Sequence, residues 1–210
     1  MSKITSDNIE LFNRNLRYES PEEIVSFALD ISEKPIVTTS FGAYSAAILH
    51  LCSKIYPQIQ VIWCDTGYNT EATYKHVQNL SSILNLNLEI FTPEFTTAFI
   101  NSTLGQPDLD NPNHAKFSEK VKLEPFQRAF EKHQPDLWFT NLRKGQTQHR
   151  ENLDILSFGK TGILKVSPFY HFTDEDVQKY IKKHKLPIEF DYYDPVKANS
   201  HRECGIHLKN

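Results

Sequence analysis

Short apolar runs rich in β-branched residues alternate with amphipathic stretches along most of this chain, and this alternation restricts the folds open to it. The apolar runs predict β-strands at 35–39, 59–64, 86–91, 136–142 and 163–166. Helical spacing predicts helices after the capping residue Ser20, at 43–55, 71–84 and 123–133, and after Thr173. This order favours an α/β fold with a mainly parallel sheet and helices on both faces.

Composition excludes several classes of protein. The chain has 210 residues, 39% of them hydrophobic and 12% aromatic, which is enough large side chains to bury a core. No run approaches the ~18 apolar residues of a membrane span, and the first residues contain no apolar signal core. A formal net charge of −3 argues against nucleic-acid binding. We therefore expect a soluble, cytoplasmic protein that binds neither membrane nor nucleic acid.

Two segments have the composition of connectors. Residues 101–113 are rich in Asn, Asp, Gly and Pro, and the residues from 191 onward include few apolar ones. At about 150 residues per domain, the length fits one domain with or without a tail. We expect an α/β domain at 1–190 and a mobile C-terminal tail at 191–210.

The turn after the first predicted strand contains Thr39, Ser40, Phe41 and Gly42, directly before a helix. Hydroxyls and free backbone N–H groups at a helix N-terminus form an anion site, and glycine allows a close approach of the ligand. The same residues are equally typical of an ordinary capped turn between a strand and a helix. The turn lacks the lysine of a phosphate-binding Walker loop.

A second turn, Asp65, Thr66 and Gly67, follows the next predicted strand. Asp65 can accept a hydrogen bond from a ribose hydroxyl or an adenine amino group, although Asp-Thr-Gly is also common in plain turns. Ligands bind where the carboxyl ends of parallel strands meet helix N-termini. Two such turns at successive strand ends favour a nucleotide site.

Residues 141–150, after the fourth predicted strand, form a basic loop with Arg143, Lys144 and Arg150, together with Gln146. Arginine has forked donors that match phosphate or sulfate. A solvated basic surface loop is the alternative. The position at a third strand end favours anion binding.

Cys204 lies near the C-terminus between His201, Arg202 and His207, and neighbouring cations favour the nucleophilic thiolate. A metal site formed by His201, Cys204 and His207 is an alternative, but it lacks a nearby fourth ligand. Cys52, in a predicted helix, and Cys64, in a predicted strand, have the surroundings of buried, inert thiols.

Five segments together resemble the sulfonucleotide reductases, and specifically the phosphoadenylyl-sulfate (PAPS) reductases. The resemblance extends from about residue 20 to 209. The segments are Ser40-Phe41-Gly42 with its helix, Asp65-Thr66-Gly67-Tyr68, Lys122-Leu123-Glu124-Pro125, the loop from Arg143 to Arg150, and Glu203-Cys204-Gly205-Ile206-His207.

The resemblance implies an adenine-nucleotide α-hydrolase-like (PP-loop-like) fold and a two-stage reduction. Cys204 attacks the sulfur of bound PAPS, adenosine 3′,5′-bisphosphate leaves, and S-sulfocysteine forms. A thioredoxin or glutaredoxin thiol then releases sulfite. His207 would support the thiolate or move a proton. The substrate-binding residues that we expect are Thr39, Ser40, Phe41, Gly42, Asp65, Thr66, Gly67, Lys122, Arg143, Gln146, Arg150 and Arg202.

Departures from the family pattern and rival classes leave alternatives open. Only Cys204 lies in the C-terminal half, so we expect no four-thiolate iron–sulfur cluster and no other bound cofactor or metal, which favours PAPS over adenylyl sulfate (APS). The segment before Cys204 is shorter than in the family, so contacts to the 3′-phosphate are either missing or supplied by Lys197, His201 or Arg202. A cluster-free APS reductase and a non-catalytic sulfonucleotide-binding protein remain alternatives, and a homodimer is allowed.

An ATP pyrophosphatase is a further rival. Those enzymes need a Ser-Gly-Gly-x-Asp-Ser loop with its aspartate serving Mg²⁺. Here Phe41 and Tyr44 occupy the positions of the first glycine and the aspartate. This argues against chemistry on magnesium-bound ATP.

Overall fold

A computed structural model of the chain describes residues 4–108, 110–159 and 161–196. The α-helices are α1 Ile9–Leu16, α2 Pro21–Asp30, α3 Ser45–Ile55, α4 Glu71–Leu84, α5 Thr97–Leu104, α6 His114–Ser118, α7 Glu124–His133, α8 Gln148–Glu151 and α9 Asp174–Lys183. The strands are β1 Pro35–Thr39, β2 Gln60–Cys64, β3 Leu88–Phe91, β4 Leu137–Phe139, β5 Leu156–Phe158 and β6 Leu164–Val166. A π-helical turn, Glu119–Leu123, joins α6 to α7, and a 3₁₀ turn, Lys144–Gln146, precedes α8.

The strands form one six-stranded sheet in the order β3-β2-β1-β4-β6-β5. Neighbouring strands from β3 to β6 pair in parallel, and β5 pairs antiparallel with β6. The predicted α/β class with a mainly parallel sheet is confirmed. A parallel sheet of this kind places the carboxyl ends of its strands at one edge.

Helices cover both faces of the sheet. Val37 and Val61 belong to the larger core cluster, whereas their neighbours Ile36 and Ile62 belong to a second cluster that includes Trp138. All five side chains are at most 3% exposed. Successive residues of a strand point to opposite faces, so β1 and β2 are buried on both sides, as the continuous apolar runs predict.

Helix starts follow the capping residues that the sequence indicates. Ser20 and Glu23 form a reciprocal capping box at α2. Thr173 and Asp176 form another at α9. None of the helices in the described part of the chain is long and apolar enough to cross a membrane.

Several short elements differ from the expectation. The connector predicted at 101–113 begins inside α5, whose N-cap Thr96 accepts from the Phe99 amide. Only Ile100 of that helix is buried, so its apolar periodicity is weak. Helix α1 was also not predicted, nor was β5, whose three residues are too few to show alternation.

The outer edge of β5 is capped by a side chain. The Asn13 side-chain Nδ2 donates to the Leu156 carbonyl at 3.0 Å, and the Leu156 amide donates to Asn13 Oδ1 at 2.8 Å. Asn13 is 6% exposed. The amide thereby replaces a neighbouring strand and fixes α1 against the sheet.

Asn13→Ala leaves both backbone groups of Leu156 without this partner. We expect the free energy of unfolding to fall by about 2–3 kcal/mol. Urea denaturation measures it. Asn15→Ala, on the exposed side of the same helix, is the matched control and should change stability by less than ~0.5 kcal/mol. Equal losses in the two variants would contradict the edge-capping role.

Two histidines lie where α3 packs against α9. The His50 Nδ1 is 2.9 Å from the Tyr180 hydroxyl, and the His50 and His184 rings have centroids 4.5 Å apart. Burial lowers the pKa of both histidines, and the charge of Lys54 lowers it further. The neutral rings are therefore part of the packed interface.

This pair predicts an acid-sensitive fold. A histidine whose pKa is lower in the folded state costs stability as pH falls through its unfolded value, about 6.5. We expect the urea midpoint to be lower at pH 5.5 than at pH 7.5, and His50→Gln to reduce that difference. Urea titrations of both proteins at the two pH values test this; an unchanged pH difference in the variant would contradict it.

Candidate active site

A cavity of about 330 Å³ opens at the edge of the sheet where β1, β2 and β4 end. Strands β1 and β4 are neighbours in the sheet. The strands that follow β1 in the chain, β2 and β3, lie on one side of this pair, whereas those that follow β4, β5 and β6, lie on the other side. Ligands of open α/β sheets bind at such a position. The predicted binding residues that line the cavity are Thr39, Ser40, Gly42, Thr66, Lys122, Gln146 and Arg150.

The buried side chain of Phe41 anchors the first turn. Its ring is fully buried and packs edge-on against Trp63, with centroids 5.3 Å apart. The Phe41 amide donates to Thr39 Oγ1 at 2.9 Å, and its φ of 53° lies in the left-handed region. Such a backbone costs roughly 1–3 kcal/mol and persists where the surroundings impose it. Phe41 thus shapes the turn, while Ser40 and Gly42 face the cavity.

In the second turn Thr66 faces the cavity, and Asp65 organises the backbone behind it. Asp65 Oδ1 accepts from the Gly67 amide at 2.9 Å and from Asn69 Nδ2 at 2.7 Å. The Tyr74 hydroxyl donates to the same carboxylate at 3.0 and 3.1 Å. Burial, together with Asp65, raises the pKa of Tyr74 to about 12. Asp65 and Gly67 lie outside the cavity lining.

Lys122 reaches the cavity from the π-helical turn Glu119–Leu123. Its Nζ lies 2.5 Å from Asp194 Oδ2, and the two side chains are only 10% and 4% exposed. π-helical turns within helices occur frequently at functional sites. The sequence motif locates Lys122 but contains no signal for the carboxylate beside it.

The basic loop contributes Gln146 and Arg150 to the cavity wall. The Gln146 side-chain oxygen accepts from the Arg143 amide at 3.0 Å and from Arg150 Nη1. The Arg150 carbonyl accepts from the Tyr170 hydroxyl at 2.7 Å. These contacts fix a nearly buried guanidinium at the site, where forked donors suit an anion.

Arg143 lies behind the wall and outside the cavity lining. Its Nη2 is 2.6 Å from Asp174 Oδ1, and its guanidinium carbon is 4.9 Å from the ring centre of Tyr44, which does line the cavity. Burial lowers the pKa of Arg143, and the charge of Asp174 opposes that shift. Arginine remains charged under these conditions, so Arg143 adds positive charge behind an aromatic wall.

Residues 191–196, which we call the strap, close one side of the cavity. Thr70 and Thr73 hydroxyls donate to the Asp191 carbonyl at 2.7 and 3.0 Å. Tyr192 lies over the first turn, since a Cβ on Gly42 would come within 3.6 Å of its ring. The strap residues in the cavity wall are Tyr192, Tyr193, Asp194 and Pro195. Sequence reasoning assigned them to a tail because few of them are apolar.

Three predicted site residues, Cys204, His207 and Arg202, lie outside the described residues, as does the alternative metal site that shares two of them. Their roles stay predictions. Across residues 4–108, 110–159 and 161–196, no three His, Cys, Asp or Glu side chains are close enough to share a metal ion.

The fold and the site define an α/β protein with a cavity, lined by Lys122 and Arg150, at the carboxyl edge of a mainly parallel sheet. The sequence profile of the phosphoadenosine phosphosulfate reductase domain matches residues 34–193. A phosphoadenosine 5′-phosphosulfate reductase of Xylella fastidiosa is 36% identical over 185 residues, covering 86% of this chain and 77% of the relative. The chain therefore belongs to the phosphoadenosine phosphosulfate reductase family.

Solved structures agree with this assignment. The crystal structure of the PAPS reductase of Candida auris, a phosphate complex, has a TM-score of 0.78 at 25% identity and covers 89% of this chain and 90% of that one. The FMN adenylyltransferase of Candida glabrata in complex with ATP has a TM-score of 0.58 at 11% identity, covering 90% of this chain and 61% of that one. The second likeness concerns the fold alone and matches the predicted PP-loop-like class.

The buried ring of Phe41 gives a direct test of the first turn. Phe41→Ala removes its contact with Trp63, and we expect a loss of about 3–5 kcal/mol in unfolding free energy. Phe190, which is 66% exposed, provides the control, since Phe190→Ala should cost less than ~0.5 kcal/mol. Chemical denaturation of both variants measures the difference. A small loss at Phe41 would contradict its anchoring role.

Proposed function

We propose that the chain is an oxidoreductase that reduces PAPS to sulfite and adenosine 3′,5′-bisphosphate in sulfate assimilation. The single observation that carries the proposal is the cavity, which joins the Thr39–Gly42 turn to Lys122 and Arg150 at the carboxyl edge of the sheet. Membership of the family supports the choice of substrate. A related PAPS reductase forms a phosphate complex, which agrees with an anion site in this fold.

The cavity groups suit a nucleotide with several anionic groups. Ser40 and Gly42 lie just before α3, where hydroxyl and backbone donors favour phosphate. Lys122 and Arg150 supply positive charge to the same cavity. These cations would also reduce the repulsion between an anionic sulfonucleotide and an approaching thiolate.

Cys204 is the nucleophile in this proposal. Cys52 is fully buried, and burial raises the pKa of its thiol, so it is unsuited to attack. Cys64 lies at the end of β2 and lines the cavity. Cys204 has Arg202 and His207 as sequence neighbours, and this setting favours the thiolate.

The reaction proceeds in two stages. The Cys204 thiolate attacks the sulfur of PAPS, an S–S bond forms, the bond from sulfur to the phosphate oxygen breaks, and adenosine 3′,5′-bisphosphate leaves. A thioredoxin or glutaredoxin thiolate then attacks Cys204 Sγ and expels sulfite. The second thiol of the donor resolves the mixed disulfide, so the dithiol supplies both electrons. The chain holds three cysteines, fewer than the four thiolates of an iron–sulfur cluster.

The decisive measurement is sulfite release with thioredoxin and dithiothreitol, with PAPS and APS compared at equal concentration. We expect a preference for PAPS. Preference for APS would make the protein a cluster-free APS reductase. If the protein bound the nucleotide but released sulfite from neither substrate, the enzymatic proposal would be overturned in favour of a binding protein.

Cys204→Ser should lower sulfite release by ~10³-fold or more and leave binding of adenosine 3′,5′-bisphosphate nearly unchanged, because the variant loses only the nucleophile. The control is Cys64→Ser, measured in the same assay. If sulfite release survived in Cys204→Ser and was lost in Cys64→Ser, the nucleophile would instead be the Cys64 thiol, which lines the cavity.

A further inference from the structure

One of the side chains that line the cavity is itself acidic. The Asp194 carboxylate lies 2.5 Å from Lys122 Nζ, and both residues line the cavity. The pair is almost fully buried. In the described structure, one of the two cationic side chains that line the cavity, Lys122, is thus already in contact with a carboxylate.

The fold holds Asp194 in this position through the strap. The Val196 amide donates to Asp194 Oδ1 at 3.1 Å, which leaves Oδ2 for Lys122. Val196 packs with Ile100, Phe117 and Val121, the residue directly before Lys122. Lysine and carboxylate are therefore built into one packed unit and brought together across 72 residues of sequence.

We propose that Asp194 competes with the phosphate groups of the nucleotide for Lys122, so that it occupies the anion site between turnovers and promotes loss of the anionic product. The inference rests on the proposed function, because it concerns nucleotide binding at the same site. The ligand class is a nucleotide that carries a phosphate group with two negative charges.

Electrostatics favour the binding of either the Asp194 carboxylate or a phosphate group to Lys122, and disfavour the binding of both at once. A phosphate beside Lys122 would face the Asp194 carboxylate in a partly desolvated cavity, where like charges repel strongly. A dianionic phosphate attracts Lys122 more strongly than a single carboxylate does and can take its place. When the bisphosphate product leaves, the carboxylate returns to Lys122 and opposes rebinding.

Asp194 also links the site to the rest of the chain. It lies ten positions before Cys204 in the sequence. Displacing its carboxylate from Lys122 removes a buried ion pair that holds the strap against the cavity. Nucleotide binding thereby removes one of the contacts that hold the strap.

Isothermal titration calorimetry with adenosine 3′,5′-bisphosphate tests the proposal. Asp194→Asn keeps an oxygen acceptor for the Val196 amide but removes the competing charge. We expect the Kd to fall by about tenfold and product inhibition of sulfite release to strengthen in parallel. Glu89→Gln, which removes one negative charge from the surface pair with Lys132, is the matched control and should leave the Kd unchanged.

A double-mutant cycle separates competition from a general effect. In the Lys122→Gln background, Asp194→Asn should tighten binding by much less, because the contested cation is absent and only the direct repulsion between carboxylate and phosphate is relieved. The double variant also avoids a buried lysine facing a neutral amide, so a gain of about tenfold in that background would still contradict the inference where Asp194→Asn alone folds poorly. A Kd that is unchanged or raised in Asp194→Asn, or a gain of the same size without Lys122, would overturn the inference. Wild-type protein that binds no bisphosphate would overturn the proposed function itself.

Discussion

The positions of the cavity residues in the strand-end turns depend on the burial of parallel strands on both faces of the sheet. Because β1 and β2 bury alternate residues in two separate cores, helices must pack on each side and connect the strands in one direction. The turns after β1, β2 and β4 then meet at a single edge. Apolar packing thereby brings the polar groups of these three turns together there.

Sequence reasoning located the two turns because both parts of the signal are local. A buried strand, a polar turn and an apolar helix follow one another directly around Ser40 and around Thr66. The same reasoning placed Arg143 among the binding residues, but its partner Asp174 lies 31 positions later on another helix. A pairing of that kind depends on how α9 packs against α3, and no short sequence motif contains that information.

The sequence does not predict the strap as part of the site, for a different reason. Its residues are mostly polar or aromatic and lack periodicity, so composition indicates a tail. It is held by side chains of distant elements, since Thr70 and Thr73 of the α4 start bind the Asp191 carbonyl. Its tyrosines and Asp194 therefore join the site through long-range hydrogen bonds and one ion pair. Only the folded structure brings these partners together.

The π-helical turn that carries Lys122 sits within a continuous helical run, 114–133, formed by α6, the turn and α7. A π-helical turn accommodates one residue more than an α-helix does over the same rise. Each residue of an α-helix adds about 100° of rotation. A chain shorter by one residue here would form a regular helix and turn the lysine about a quarter of the circumference away from the cavity. The number of residues in this helix, as much as their identity, therefore determines whether a cation reaches the cavity.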